Sequence, residues 1–242
     1  MNVDSIHNDG ERAIPYIMLW PETVVEKVFA WAETQQPDGM LPEQLACGCA
    51  EHIDPFGSLP WSGTGCGRRM CDNTSMWIHY VLVLWRWGVL SELQLHNLWP
   101  YLQKAANWQV LEASKGGGCP GKIENTYDGL GFLHYNITAY SCMFHLMSMK
   151  ASVAVAESLQ PAPPNLKAQI QQWNSSFVTG QQTLASLLWN ASHGFWNAFS
   201  DPDEPGQGRG TLMADVLWAQ VLSYSLGTNL DSNFENCLTL KS

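Results

Sequence analysis

"MWIHYVLVLW", residues 76–85, is the stretch of this sequence that decides its fold. Asp72 and Asn73 stand shortly before it, and either residue can cap the N-terminus of a helix that continues to Trp87. The apolar side chains of such a helix point in nearly every direction, whereas a surface helix keeps one polar face. We therefore predict a helix that lies inside the molecule, with Asp72 as a capping residue rather than part of a site.

Helical patterns occur on both sides of this stretch. Pro21 suits the first turn of a helix, and the residues after it carry apolar positions with three-and-four spacing. Ser91 and Gln94 have the form of a capping box, which predicts a helix with a break or kink near Pro100. Asn165 is the expected cap of a later helix. Besides 72–87, the predicted helices are residues 17–35, 91–114, 137–159, 165–188 and 211–227.

Strand signals are scarce, so the predicted class is all-α, built from antiparallel helical hairpins. Three connections are long, at residues 36–72, 115–136 and 189–210. Because antiparallel neighbours place successive connections at opposite ends, all three long connections should emerge at the same end. Long structured loops in compact domains are uncommon and are usually functional.

Composition excludes several classes of function. The 242 residues are 45% hydrophobic, enough for one large domain or part of one. With 12 basic and 22 acidic residues, the net charge of -10 would repel a nucleic-acid backbone. Apolar runs stop short of the roughly 18 to 20 residues that cross a bilayer, so no transmembrane helix is predicted. The polar N-terminus lacks the layout of a secretory signal, which favours a cytoplasmic location. Residues 1–15 and 229–242 are expected to be poorly ordered ends.

The expected cytoplasmic location also guides the interpretation of the cysteines and the glycosylation sequons. Seven cysteines occur without paired C-x-x-C spacing, and buried thiols are the favoured interpretation. A convergence on a metal is the alternative for Cys47, Cys49, Cys66 and Cys71. No metal or other cofactor is predicted. Without a signal, the sequons are expected to be unmodified at Asn73, Asn136, Asn174 and Asn190.

The long connections are rich in the residues that sugar-binding surfaces use, namely aromatic side chains and short polar ones. Trp61 and Trp196 lie in these connections and are candidate platforms for a sugar ring, with simple packing as the alternative. The middle connection contains "NTYDGLGFLHYN", residues 125–136, in which Asp128 is either an Asp-Gly turn or a proton donor. Nearby Glu124 is expected to be a solvated loop charge. Core positions are expected for Trp77, Trp85, Trp87 and Trp108.

An ordered set of segments resembles glycoside hydrolase family 116, which comprises non-lysosomal glucosylceramidases and related β-glucosidases and β-xylosidases. The similarity covers roughly residues 16–220. The segments that carry it are "YIMLWPE" (16–22), "MCDNTSMWIHYVLVLWRW" (70–87), "LWPYLQKAANW" (98–108), "NTYDG" (125–129), "ITAYSCMFHLMSMKASVAVAESL" (137–159), "LWNASHGFWNAFSD" (188–201) and "LMADVLWAQ" (212–220).

The resemblance implies a fold and a set of site residues. The fold would be part of an (α/α)6 barrel, in which six helices are about half. Asp128 of the T-Y-D motif would be the general acid/base of a retaining β-glycosidase, with its pKa raised by partial burial against neighbouring aromatic side chains. The substrate would be a carbohydrate or glycolipid. The implied substrate-binding residues, together with the loop tryptophan, are Thr126, Tyr127, His52, Asp54, Trp61 and Asp215.

The sequence departs from the family upstream, because no segment matches the nucleophilic glutamate and Glu11 is too close to the first helix. The chain is therefore interpreted as a single partial catalytic domain over residues 1–242 that is inactive alone. Two alternatives stay open. One is an inverting glycosidase on the same barrel, with Asp54 or Glu51 activating water. The other is a non-catalytic carbohydrate-binding or scaffold protein. The oligomeric state is not predicted.

Overall fold

The computed structural model describes residues 6–43, 70–126, 136–200 and 217–225, and for residues 7–13 and 225 it describes the backbone alone. The described residues are mostly helical, which confirms the all-α class. The helices are α1 Ile6–Leu19, α2 Pro21–Glu33, α3 Cys71–Arg86, α4 Glu92–Lys115, α5 Ala139–Ser158, α6 Leu166–Leu187 and α7 Trp218–Ser225. Four two-residue strands accompany them: β1 Ile137–Thr138, β2 Trp189–Asn190, β3 Phe195–Trp196 and β4 Phe199–Ser200.

The helices form two rows. In one row α1, α3, α5 and α7 pack side by side in that order, and in the other row α2 contacts α4 and α4 contacts α6. Each hairpin, α1–α2, α3–α4 or α5–α6, joins one helix from each row. Alternate helices along the chain therefore belong to the same row, as the predicted hairpins require.

The core lies between the rows and centres on α3 and α5. Both helices are buried around most of their circumference, which confirms the prediction made from residues 76–85. Trp77 is fully buried, and its indole N–H donates to the backbone carbonyl of Val28 on α2 at 3.0 Å. Tyr140 and Phe144 pack at 4.6 Å between ring centroids on α5. Burial of each such large side chain contributes about 2 to 3 kcal/mol.

The predicted helix ends are confirmed in part. Ser91 and Gln94 form the capping box, with Ser91 N–H donating to Gln94 Oε1 at 2.8 Å and Gln94 N–H to Ser91 Oγ at 3.3 Å. The expected break near Pro100 is absent, because α4 runs through it and is held by contacts with α2, α3, α5 and α6. Asn165 is the N-cap residue of α6, although its side chain makes no capping hydrogen bond.

The N-terminal region differs from the prediction. Instead of one helix over 17–35 there are two, separated at Trp20, with Pro21 at the first position of α2. A residue before proline is disfavoured in helical conformation, which explains the separation. Residues 6–15 belong to α1. The predicted ends of the last helix, Thr211 and Gly227, lie outside the described residues, as do residues 229–242.

The three long connections meet at one end of the molecule, which confirms that prediction for their described parts. The N–H of Leu41, in the first connection, donates to Thr74 Oγ1 near the start of α3 at 3.0 Å. The first and second connections join through a bridge between Met70 and Glu124. The second and third join where β1 pairs with β4. We call this the loop end, comprising residues 35–41, 70–75, 116–126, 136–141 and 189–200.

A disulfide closes the middle connection. Cys119, after α4, is bonded to Cys142 in the first turn of α5, and both residues are fully buried. They are therefore paired rather than the buried thiols that the sequence analysis favoured. Gly118 and Gly180 permit this packing, since a Cβ on Gly118 would lie 2.6 Å from Thr183 Oγ1 and one on Gly180 would lie 2.9 Å from Gly118 O. The bond encloses residues 120–141, including position 128.

Candidate functional site

A buried carboxylate organises the loop end. Asp72, in the first turn of α3, is fully buried, and its Oδ2 accepts a hydrogen bond from the Thr126 N–H at 2.9 Å. The same oxygen accepts bonds from the Thr126 hydroxyl and from the Tyr140 hydroxyl, the latter at 3.1 Å. Its other oxygen, Oδ1, has no hydrogen-bond partner among the described residues. We call Asp72, Thr126 and Tyr140 the anchor cluster.

The predicted capping role of Asp72 and Asn73 is wrong. Met70 is the N-cap residue of α3, and its side chain makes no capping hydrogen bond. Asp72 lies two residues beyond the N-cap position, and its carboxylate bonds instead to Thr126 of the middle connection. The position still suits a carboxylate, because the N-terminus of a helix carries partial positive charge.

Backbone and side-chain bonds tie the segment 124–126 to two helices. Cys71 N–H donates to Glu124 O at 3.1 Å, and Gln109 Nε2 donates to Cys71 O at 2.6 Å. Asn125 Nδ2 donates to Ser141 Oγ on α5 at 3.2 Å. Glu124 is half-buried within this arrangement, in contrast to the solvated charge expected from the sequence. The segment 124–126 is thus fixed on α3 and α5, and Gln109 of α4 holds Cys71 in turn.

The C-terminal part of the middle connection is held in place as well. Lys122 N–H donates to Asn136 O at 2.8 Å, so the two ends of the intervening segment lie side by side. Ile137 bridges to Gly121 and pairs with Ser200 of β4. The described residues on both sides of 127–135 are therefore held together at the loop end.

Of the implied catalytic and substrate-binding residues, Thr126 alone lies within the described part of the chain, and it belongs to the anchor cluster. The remaining predicted site residues lie outside the described residues: His52, Asp54, Trp61, Tyr127, Asp128 and Asp215.

The loop tryptophan Trp196 does not offer an open face. It is 5% exposed and packs edge-on against Trp189 across the β2–β3 pair at 4.7 Å between ring centroids. The platform interpretation of Trp196 is therefore wrong. Core positions are confirmed for Trp77 and Trp108, while Trp87 is 45% exposed at the end of α3 and does not belong to the core.

Two buried histidines stay neutral near neutral pH. Burial lowers the pKa of His145 to about 4, and a hydrogen bond with Ser176 opposes that shift. Burial, followed by the charge of Arg86, lowers the pKa of His79 to about 4. Both side chains are enclosed in the helix layers, so neither is placed to exchange a proton with a bound molecule.

The described ranges contain neither a group of metal-binding side chains nor a helix that could span a membrane. Among residues 6–43, 70–126, 136–200 and 217–225, no three His, Cys, Asp or Glu side chains are grouped so that they could hold a metal ion. Of the four cysteines considered for a metal, Cys71 alone falls in these ranges, and it is buried. Within the same ranges, each helix is too short or too polar to span a bilayer.

A surface cavity of about 420 Å³ lies away from the loop end. It is lined by residues from the start of α2 and from the α3–α4 turn, including Pro21, Val25 and Val89. Those residues are at the opposite end of α3 from Asp72. Thr126 does not line this cavity, so the cavity is not part of the candidate site.

Sequence reasoning missed Asp72, Tyr140 and Asn125 as parts of the site. A signal did exist, because Asp72 is a carboxylate at the start of a helix predicted to be buried all round, where it requires hydrogen-bond donors.

Comparison of the chain with models of known protein families finds no match. Comparison with curated proteins also finds none.

Proposed function

We propose that this chain is the acid-bearing part of a retaining β-glycosidase with an (α/α)6 barrel, and that Asp128 is its general acid/base. The observation that carries the proposal is the anchor cluster. A buried carboxylate with three hydrogen bonds holds Thr126, two residues before Asp128, at the end where the long connections meet. Such an anchor fixes the residues just before Asp128, as the positioning of a catalytic side chain requires.

The arrangement of helices supports a barrel. A ring of inner and outer helices is built by alternating hairpins, the pattern of the two rows here. The outermost helices of the first row also expose large apolar side chains, with Met18 on α1 at 73% and Tyr224 on α7 at 66%. These exposed apolar side chains are explained if further helices pack against α1 and α7 and extend the row on both sides.

The proposed chemistry needs two carboxyl groups. Asp128 donates a proton to the oxygen of the departing group while a second carboxylate attacks the sugar carbon, and water then releases the sugar with retained configuration. The attacking group is the family glutamate, for which this sequence has no counterpart. A substrate contact by Thr126 fits its place in the anchor cluster. His52, Asp54, Trp61, Tyr127 and Asp215 complete the proposed binding set.

The substrate class is a β-glucoside or a glucosylceramide-like glycolipid, which follows from the family resemblance. A cytoplasmic location stays a prediction. The Cys119–Cys142 disulfide is evidence against a cytoplasmic location, because disulfides persist mainly in oxidising compartments.

The proposal is tested with the protein at its natural full length, assayed on fluorogenic β-glucosides. We expect Asp128→Asn to lower kcat by about 10² to 10⁴. Asp38→Asn is the matched control, since Asp38 lies in the same end of the molecule and an asparagine there can still accept the Met40 N–H. Equal activity of wild type and Asp128→Asn would refute the proposal. An inverted first product would favour the inverting alternative.

A further inference from the structure

We infer that Asp72 is a positioning residue that makes the Thr126 hydroxyl a hydrogen-bond acceptor for a hydroxyl group of the substrate. This inference rests on the proposed function, and it assigns a role to a residue that contacts no reacting atom. It also names the substrate feature that is read at Thr126, namely a hydroxyl that can donate.

The direction of the hydrogen bonds carries the first step. The Thr126 N–H can only donate, so Asp72 Oδ2 is the acceptor at 2.9 Å. The Thr126 hydroxyl donates to that same oxygen. A hydroxyl has one proton and two lone pairs, so this bond uses the proton and leaves the lone pairs available. Thr126 is half-buried whereas Asp72 is fully buried, so part of the Thr126 residue remains accessible.

The second step is the rigidity of the anchor cluster. Two groups of Thr126, its backbone and its side chain, bond to one oxygen, and this fixes both the position and the rotation of the residue. Tyr140 on α5 donates to the same oxygen at 3.1 Å and prevents the carboxylate from turning away. The neighbouring Asn125 side chain is bonded to Ser141. The carboxylate therefore joins α3, α5 and the middle connection at a single point.

The consequence for a ligand is specific. A sugar hydroxyl that approaches Thr126 must donate its proton, because Thr126 has no proton left to give. Fluorine in place of that hydroxyl keeps the size and accepts weakly, but it cannot donate. At the ring position that faces Thr126, replacement of hydroxyl by fluorine should therefore cost about tenfold in kcat/KM.

Asp72→Asn is the decisive variant, because it keeps the shape and removes the charge. Amide hydrogen exchange of Thr126 is measured first, as it does not require activity. We expect exchange at Thr126 to rise at least tenfold in Asp72→Asn and to stay within twofold of wild type in the Asp38→Asn control. Unchanged exchange in Asp72→Asn would overturn the inference, whatever the enzyme does. If Asp72→Asn does not fold, Tyr140→Phe is measured instead. We expect a smaller rise in Thr126 exchange in that variant, and unchanged exchange would contradict the anchoring role of the cluster.

The acceptor role is measured with a series of monofluoro β-glucosides. In wild type, the cost at one ring position should be about tenfold larger than in Thr126→Val, which preserves side-chain shape, since the inductive effect of fluorine is the same in both. Asp72→Ala should reduce this difference below twofold, since it removes the acceptor of the Thr126 hydroxyl and frees that proton to donate. An equal cost in wild type and in both variants would contradict the acceptor role. If wild type hydrolyses no glycoside, the proposed function fails, and the exchange at Thr126 decides the positioning role alone.

Discussion

Reduction of the Cys119–Cys142 disulfide should destabilise the protein strongly. The two cysteines are separated by 23 positions in the sequence, and a closed loop of that size restricts the unfolded chain by about 3 kcal/mol at 25 °C. For a domain of this size, such a loss corresponds to a decrease in Tm of about 6 to 12 °C. The effect should fall most heavily on the middle connection, since the bond encloses it.

The assay is urea unfolding followed by tryptophan fluorescence, with and without reductant. Wild type should lose about 3 kcal/mol in unfolding free energy on reduction. The double variant Cys119→Ala, Cys142→Ala is the control, because any effect of reductant on it must come from other cysteines. The difference between the two responses isolates this bond. Equal responses, or alkylation of both cysteines in denatured protein that was never reduced, would refute the reasoning.

Three further predictions concern stability. Gly39→Ala should cost about 2 kcal/mol, because φ is +105° and the new Cβ would lie 2.3 Å from Lys104 O. Gly88→Ala, with φ +70° and open space around it, should lower the unfolding free energy less than Gly39→Ala does. Thermal melts of both variants measure this, and equal losses would exclude a clash at Gly39. Ser91→Ala should cost about 1 kcal/mol by removing the capping box, and an unchanged unfolding curve would show that the cap contributes nothing. The pKa of His145 is about 4 in the folded state against an ordinary value of 6.5, so the unfolded state binds the proton first as pH falls. Stability should therefore be lost between pH 6.5 and 4, by up to about 3 kcal/mol, and His145→Gln should weaken this pH dependence in urea titrations. An identical pH dependence in His145→Gln would contradict this.

Local pattern was enough to predict several features. The all-round apolar helix around Trp77, the capping box at Ser91 and the common end of the three long connections each follow from neighbouring residues or from hairpin topology. These features depend on short-range chemistry, or on the rule that antiparallel helices reverse direction.

Features set by distant partners could not be predicted in this way. Asp72 was assigned to a cap because helix starts favour aspartate, yet its hydroxyl partners Thr126 and Tyr140 are 54 and 68 positions away. The pairing of Cys119 with Cys142 is likewise a choice among many that the sequence leaves open. Trp196 lies in the third long connection as predicted, but it belongs to a short strand there and packs against Trp189 across the strand pair.

The most direct test of the central claim is chemical rescue of Asp128→Ala in the full-length protein. Without its acid, the variant should hydrolyse a dinitrophenyl β-glucoside, whose leaving group needs no proton, far better than a methylumbelliferyl one. Azide should then accelerate turnover and yield the β-glucosyl azide, because it attacks a glycosyl-enzyme intermediate from the face that Asp128 serves. No rescue and equal loss on both substrates, or an α-glucosyl azide, would contradict the assignment of Asp128 as the acid/base of a retaining enzyme.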